Sequence, residues 1–138
     1  VEKLCYLDLD LYHYFIGREG QSVNESVMMK RIDQQLKVTK IIMDCVDLST
    51  VKSRKLERYL ERFLSIMLAV SSIHLLMIGD SLAMKKRRAM WRYLEQKDPA
   101  LYRRMRLSVG GFTYLPSKLG NRLSLAGYRL AKKVVKFQ

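Results

Sequence analysis

Cysteine, proline and, in its second half, acidic residues are what this 138-residue sequence has least of. Its two cysteines, Cys5 and Cys45, are far apart, with no Cys-x-x-Cys and no Cys/His cluster, so neither a disulfide framework nor a zinc site organises the fold. A reducing cytoplasm is the compartment that fits. No Gly-rich phosphate loop opens a helix, and Gly-x-Ser-x-Gly and His-Glu-x-x-His are both missing, which excludes a self-sufficient active site of those types. The histidines, His13 and His74, have no carboxylate or second histidine at ligand spacing and read as surface or core side chains. No basic n-region with an apolar stretch and a small-residue cleavage site follows Val1, so nothing reads as a signal peptide, and the chain begins as if cut from something longer. Repeats and low-complexity tracts are also missing. With 49% hydrophobic residues, this length suits one compact domain burying about 68% of the unfolded chain's surface, with no room for a second of full size.

The 26 basic residues outnumber the 13 acidic ones for a net charge of +13, and the excess is confined to one end. Residues 1–83 hold 11 bases and 11 acids, whereas residues 84–138 hold 15 bases against Glu95 and Asp98 alone. A solvated surface normally mixes both signs, as the first part does. The second part therefore points to a polyanionic partner: nucleic acid, an anionic membrane surface or phosphate-bearing ligands. The bases proposed to carry that contact are Lys85, Lys86, Arg87, Arg88, Arg103, Arg104, Arg106, Arg122, Arg129, Lys132, Lys133 and Lys136. Four of them are consecutive and must fan around a helix at about 100° per residue, so they cannot all face a core. Trp91 and Tyr102 lie among these bases. There they suit base stacking, anchoring at a membrane interface, or capping of the bundle.

Periodicity predicts a mainly α fold, an antiparallel bundle of about five helices behind a short N-terminal β segment. Residues 1–20 read as one or two strands and a loop, from the partial alternation of Leu7, Leu9 and Leu11 with Asp8 and Asp10; residues 21–138 read as the helical domain. Ser22 and Glu25 have capping-box spacing for a helix from about 23 to Cys45, with Met28, Ile32, Leu36, Thr39, Met43 and Val46 inward. A second helix is expected from Thr50 to Ile78, with a seam at Leu56, Leu60, Phe63, Met67, Val70 and His74. Its last 16 residues carry no charge, yet Ser65, Ser71, Ser72 and His74 make a buried central helix the better reading than a membrane span. Gly79 suits a C-cap and Asp80 or Ser81 the next N-cap, for a third helix to Gln96 with Leu82, Met90, Tyr93 and Leu94 on one face. Asp98-Pro99 starts a fourth helix to about 107, which Gly110-Gly111 breaks. From Ser117 a fifth, basic amphipathic helix has one stripe of Leu119, Leu123, Ala126, Leu130, Val134 and Phe137 and another of Lys118, Arg122, Arg129, Lys132, Lys133 and Lys136. Gly120 and Gly127 each cost it about 1 kcal/mol of propensity, so it should depend on docking against the bundle or a lipid surface.

Asp8-Leu9-Asp10 has the spacing with which sugar transferases hold a divalent cation, but the extended run continues past it and alternation leaves both carboxylates on the wet face. It is read as a surface pair and not as a metal site. Asn24-Glu25-Ser26 fits a glycosylation acceptor but falls in a helix's first turn on a chain lacking secretory signals, and is discounted.

Residues 11–40, LYHYFIGREGQSVNESVMMKRIDQQLKVTK, resemble the junction that follows the catalytic domain in bacterial family 2 glycosyltransferases. Residues 114–137, YLPSKLGNRLSLAGYRLAKKVVKF, are similar to the C-terminus of the same proteins. The resemblance implies a full-length enzyme that moves a sugar from a nucleotide-sugar donor to a lipid-linked or polysaccharide acceptor. Its GT-A domain, with Asp-x-Asp, a divalent cation (Mg or Mn) and a carboxylate base, is absent from this chain, so no catalytic residue and no cofactor is expected here. By matching position, Arg18 and Ser22 occupy the loop near the donor's diphosphate, where a guanidinium can pair with phosphate oxygens. The basic C-terminal helices would hold the enzyme at the inner leaflet of the cell membrane, each base near anionic lipid contributing about 1 kcal/mol. The rival reading is a basic helical module that binds nucleic acid.

Overall fold

A computed structural model of the chain describes residues 4–9, 12, 24–45, 47–115 and 117–134. The described residues are mainly helical: α1 (Glu25–Lys30), α2 (Ile32–Cys45), a 3-10 turn (Leu48–Thr50), α3 (Arg54–Ile78), α4 (Ser81–Lys97), α5 (Pro99–Arg106), α6 (Val109–Phe112) and α7 (Ser117–Val134). No strand occurs among them: residues 4–9 and 12 of the expected N-terminal β segment are not in a strand, and the rest of residues 1–20 lies outside the described residues. Leu4, Tyr6, Leu7 and Leu9 are all exposed, so their alternation packs no face against the described residues.

The boundaries follow local chemistry. Gly79 closes α3 in the left-handed region, with φ of 75°, where a Cβ would be strained. Asp80 then accepts the Ala83 N–H to open α4, and Asp98 accepts the Leu101 N–H ahead of Pro99 to open α5, both as expected. The first expected helix is two. Arg31, whose N–H reaches both the Val27 and the Met28 carbonyls, tightens the chain for one residue between α1 and α2. Its cap is Asn24, accepting the Ser26 N–H, in place of the expected Ser22, which lies outside the described residues. The next helix begins four residues later than expected, because Ser53 caps it. Gly110 and Gly111 do not simply break the chain after α5. They are the buried residues of the short turn α6, where a Cβ on Gly111 would overlap the Arg106 carbonyl.

The centre is α3, against which α1, α2, α4, α6 and α7 all pack. By length and composition it is the one described helix able to cross a membrane, but 56% of its most apolar window is buried inside the molecule. Its seam is rotated from the expected one. Leu64, Leu68, Ser71, Ser72 and Leu75 are buried, while Leu56 and Phe63 are exposed. Trp91 of α4 is fully buried against this seam, stacked on Tyr114 with centroids 4.7 Å apart and edge-on to Tyr102 at 6.1 Å. Each buried hydroxyl finds a partner. Ser72 accepts the indole N–H at 3.0 Å, Ser71 pairs with Thr39 at 2.9 Å, and Ser65 accepts the Gly110 N–H at 3.0 Å. Satisfied in this way, the serines let neighbouring helices approach without the desolvation cost of bare hydroxyls.

Candidate functional site

The expected cationic surface is divided by the fold. Arg87 is inside. It donates to the Thr113 carbonyl and to Asn121 Oδ1, and its guanidinium carbon lies 5.0 Å from the Tyr114 ring centre, so it joins α4 to the start of α7. Burial pushes its pKa down to about 10, which leaves it charged at neutral pH, and its Nε has no partner. Arg106 is half-buried and donates to the Tyr114 carbonyl at 2.6 Å. Arg104 bridges Glu57 and Glu61 of α3, Lys86 pairs with Asp33 of α2, and Lys132 pairs with Glu25 of α1. These five bases serve internal contacts between helices. The sequence could not show this, because the side-chain partners lie at least 34 residues away and the Thr113 carbonyl lies 26 residues from Arg87; only the Tyr114 carbonyl, eight residues from Arg106, is near in sequence.

Six of the expected bases remain exposed and form no ion pair among the described residues: Lys85 and Arg88 on α4, Arg103 on α5, and Arg122, Arg129 and Lys133 on α7. Arg92 shares the α4 face with Lys85 and Arg88 at helical spacing and is exposed too. Lys136 and Arg18 lie outside the described residues, as does Ser22. The two aromatics among the bases are not available to a ligand. Trp91 is fully buried, and the half-buried Tyr102 packs edge-on to it, so the stacking and interfacial-anchor roles both lose their aromatic face.

The orientation of α7 is what the sequence reading missed. The described part of the expected apolar stripe is not the docked face, and Phe137 lies outside the described residues. Leu119, Leu123 and Leu130 are 67%, 52% and 64% exposed, and Ala126 is exposed beside them. Gly120 and Ser124 are buried instead. The Ser124 hydroxyl lies 2.9 Å from both the Phe112 and the Gly120 carbonyls, and a Cβ on Gly127 would press on the Phe112 ring at 2.9 Å. Close approach by small residues therefore sets the rotation of the helix and turns the leucines outward. Farther along, Glu25 accepts hydrogen bonds from Tyr128 at 2.6 Å and Lys132 at 2.7 Å, pinning α7 to α1. Lys132 and Tyr128 hold the Glu25 carboxyl below its ordinary pKa, while burial and that carboxylate push Tyr128 up to about 12. His74 lies buried nearby with its Nδ1 unpartnered, and burial lowers its pKa.

Asp8 is exposed, Asp10 lies outside the described residues, and no three His, Cys, Asp or Glu side chains group at ligand distance among the described ones. No family model, no curated protein and no solved structure matches this chain.

Proposed function

We propose that the chain is the C-terminal accessory part of a sugar transferase and that it holds that enzyme against an anionic membrane surface at the cytoplasmic leaflet. Transfer from the nucleotide-sugar donor to a lipid-linked or polysaccharide acceptor belongs to the catalytic domain outside this chain. A pairing of Arg18 and Ser22 with the donor's diphosphate belongs to the same proposal. The likeness of residues 11–40 and 114–137 to family 2 glycosyltransferases supports the assignment to that class. The observation that carries the membrane contact is the set of exposed bases on the outer faces of α4 and α7 that form no ion pair among the described residues. Such bases attract anionic lipid headgroups within about a Debye length of 8–10 Å at ordinary salt.

The test is co-sedimentation with vesicles. The chain should pellet with phosphatidylglycerol-containing vesicles in 0.1 M salt (about one Debye length of screening near 10 Å), and not with neutral phosphatidylcholine vesicles. Equal pelleting with both, indifferent to salt, counts against the reading. Tight gel-shift binding to nucleic acid at the same ionic strength, without lipid affinity, replaces it with the nucleic-acid module.

A further inference from the structure

We infer that α7 is an interfacial helix: Leu119, Leu123 and Leu130 enter the boundary between headgroups and acyl chains, and the bases beside them meet the lipid phosphates. This rests on the anionic-surface reading and names the face that makes the contact. At about 100° per residue the three leucines fall within an arc of about 40°. Lys118, Arg122, Arg129 and Lys133 fall within an adjacent arc of about 60°, and all four are exposed. The other side of the leucine arc is where Gly120, Ser124 and Gly127 dock. The helix thus has three sectors in order around its axis: body, hydrocarbon and phosphate. Leucines and bases share about 16 Å of the helix length, enough for all of them to touch one flat surface at once.

Among the described residues these leucines stay exposed, although α7 is firmly held. Ser124 and Gly120 are buried, Tyr128 and Lys132 are bonded to Glu25, and Asn121 is bonded to Arg87. Rotating the leucines inward would require the neighbouring turn to leave the glycines. The apolar surface extends onto α6, where Phe112 lies against Gly127 and is 49% exposed. An apolar patch rimmed by one sign of charge marks an interaction surface. Net positive charge on the rim selects an anionic occupant, and it opposes a second copy of the same basic face. A bilayer with anionic headgroups supplies both chemistries: apolar depth, and phosphates at the height that lysine and arginine stems reach.

The experiment uses the whole chain with Leu119, Leu123 and Leu130 all changed to Ser, beside wild type and the R122Q/R129Q/K133Q variant. Because the leucines are exposed, the helical circular dichroism and melting temperature should be those of wild type. On phosphatidylglycerol vesicles the leucine variant should bind at least about tenfold more weakly, since each buried CH2 contributes to partition. Its residual binding should vanish in 0.5 M salt, where the Debye length is about 4 Å. A tryptophan at L123W should shift to the blue with anionic vesicles and be quenched by lipids brominated near the headgroup. The inference is overturned if the leucine variant binds like wild type and L123W stays unshifted, while salt still releases the protein; the anionic-surface reading survives that result. Failure of wild type to bind anionic vesicles at all removes both. Sedimentation of wild type at twice 16.2 kDa without lipid, reverting to one chain mass in the leucine variant, assigns the stripe to a second copy and also overturns it.

Discussion

The helices α3 and α7 both have regular apolar periodicity, yet they seat it in opposite ways. In α3, residues 71–76 are buried without interruption, so leucines and serines alike are inside. In α7, Leu119, Leu123 and Leu130 are out, Gly120 and Ser124 are in, and Gly127 is half-buried against Phe112. The common feature is the small residue. Ser65, Ser71 and Ser72 mark where other helices approach α3, as Gly120, Ser124 and Gly127 mark where the body approaches α7. A stripe of large apolar residues says that a helix has an apolar face. The residue whose missing side chain lets a backbone come close says which face meets the body. Where the two disagree, as in α7, close packing around the small residues sets the rotation and the large apolar face is left for something else.

The sharpest way to break that comparison is to truncate one large side chain from each region. Trp91→Ala removes a fully buried ring, its stack on Tyr114 and the indole bond to Ser72, and should cost about 3–5 kcal/mol in urea unfolding. Leu123→Ala removes a side chain already 52% exposed and should change stability by no more than about 0.5 kcal/mol. If Leu123→Ala cost as much as a core truncation, α7 would be packed through its leucines and the contrast would be false.

Glycine substitutions test the same contrast at intermediate size. Gly111→Ala places a methyl against the Arg106 backbone, which cannot swing aside, and should cost about 1–3 kcal/mol or more. Gly127→Ala meets only the ring of the half-exposed Phe112, which can turn toward solvent. The gain of about 1 kcal/mol in helix propensity then offsets most of the displacement, leaving a change near zero. A loss at Gly127 as large as at Gly111 would mean that Phe112 is fixed in place.

How much of this was legible in the sequence depended on range. Gly79, Asp80 and Asp98-Pro99 act on residues within a turn of themselves, and they sit where the pattern put them. Met90 and Leu94 are buried as expected, but Leu82 on the same predicted face is 58% exposed, since it opens α4 beyond the reach of the core. The rotation of α3 and α7 depends on which neighbour comes closest, and periodicity is silent on that. The basic surface was half legible. Charge asymmetry indicates an excess, but only the fold shows that Arg104, Lys86 and Lys132 are tied to acids on α3, α2 and α1. In sequence, the buried Arg87 cannot be told from its exposed neighbours Lys85 and Arg88, because it is distinguished only by where that turn of α4 faces.

The smallest expected effect concerns how α7 is fastened, and it is read through pH. His74 of α3 and Glu25 of α1 lie near each other, and the charged groups facing them are Lys132 and, when ionised, Tyr128, both from α7. His74 is lowered by burial, so below its unfolded value of about 6.5 the unfolded chain holds more protons than the folded one. Its contribution to stability is complete above that pH and is lost as pH falls through it. Glu25 is lowered by its bonds to Lys132 and Tyr128, so its contribution is present above 4.5 and disappears as pH drops through the folded value. Acid should therefore loosen the α1–α7 contact in two stages, the histidine stage first. His74→Leu removes a buried nitrogen that has no partner and should abolish the upper stage, with stability at pH 5 equal to or above wild type. Glu25→Gln should abolish the lower stage and leave the upper one. Urea midpoints between pH 8 and pH 3.5, with amide exchange of the Tyr128 turn, check both; a wild-type profile flat down to pH 4.5 would show that His74 titrates in the fold as it does unfolded.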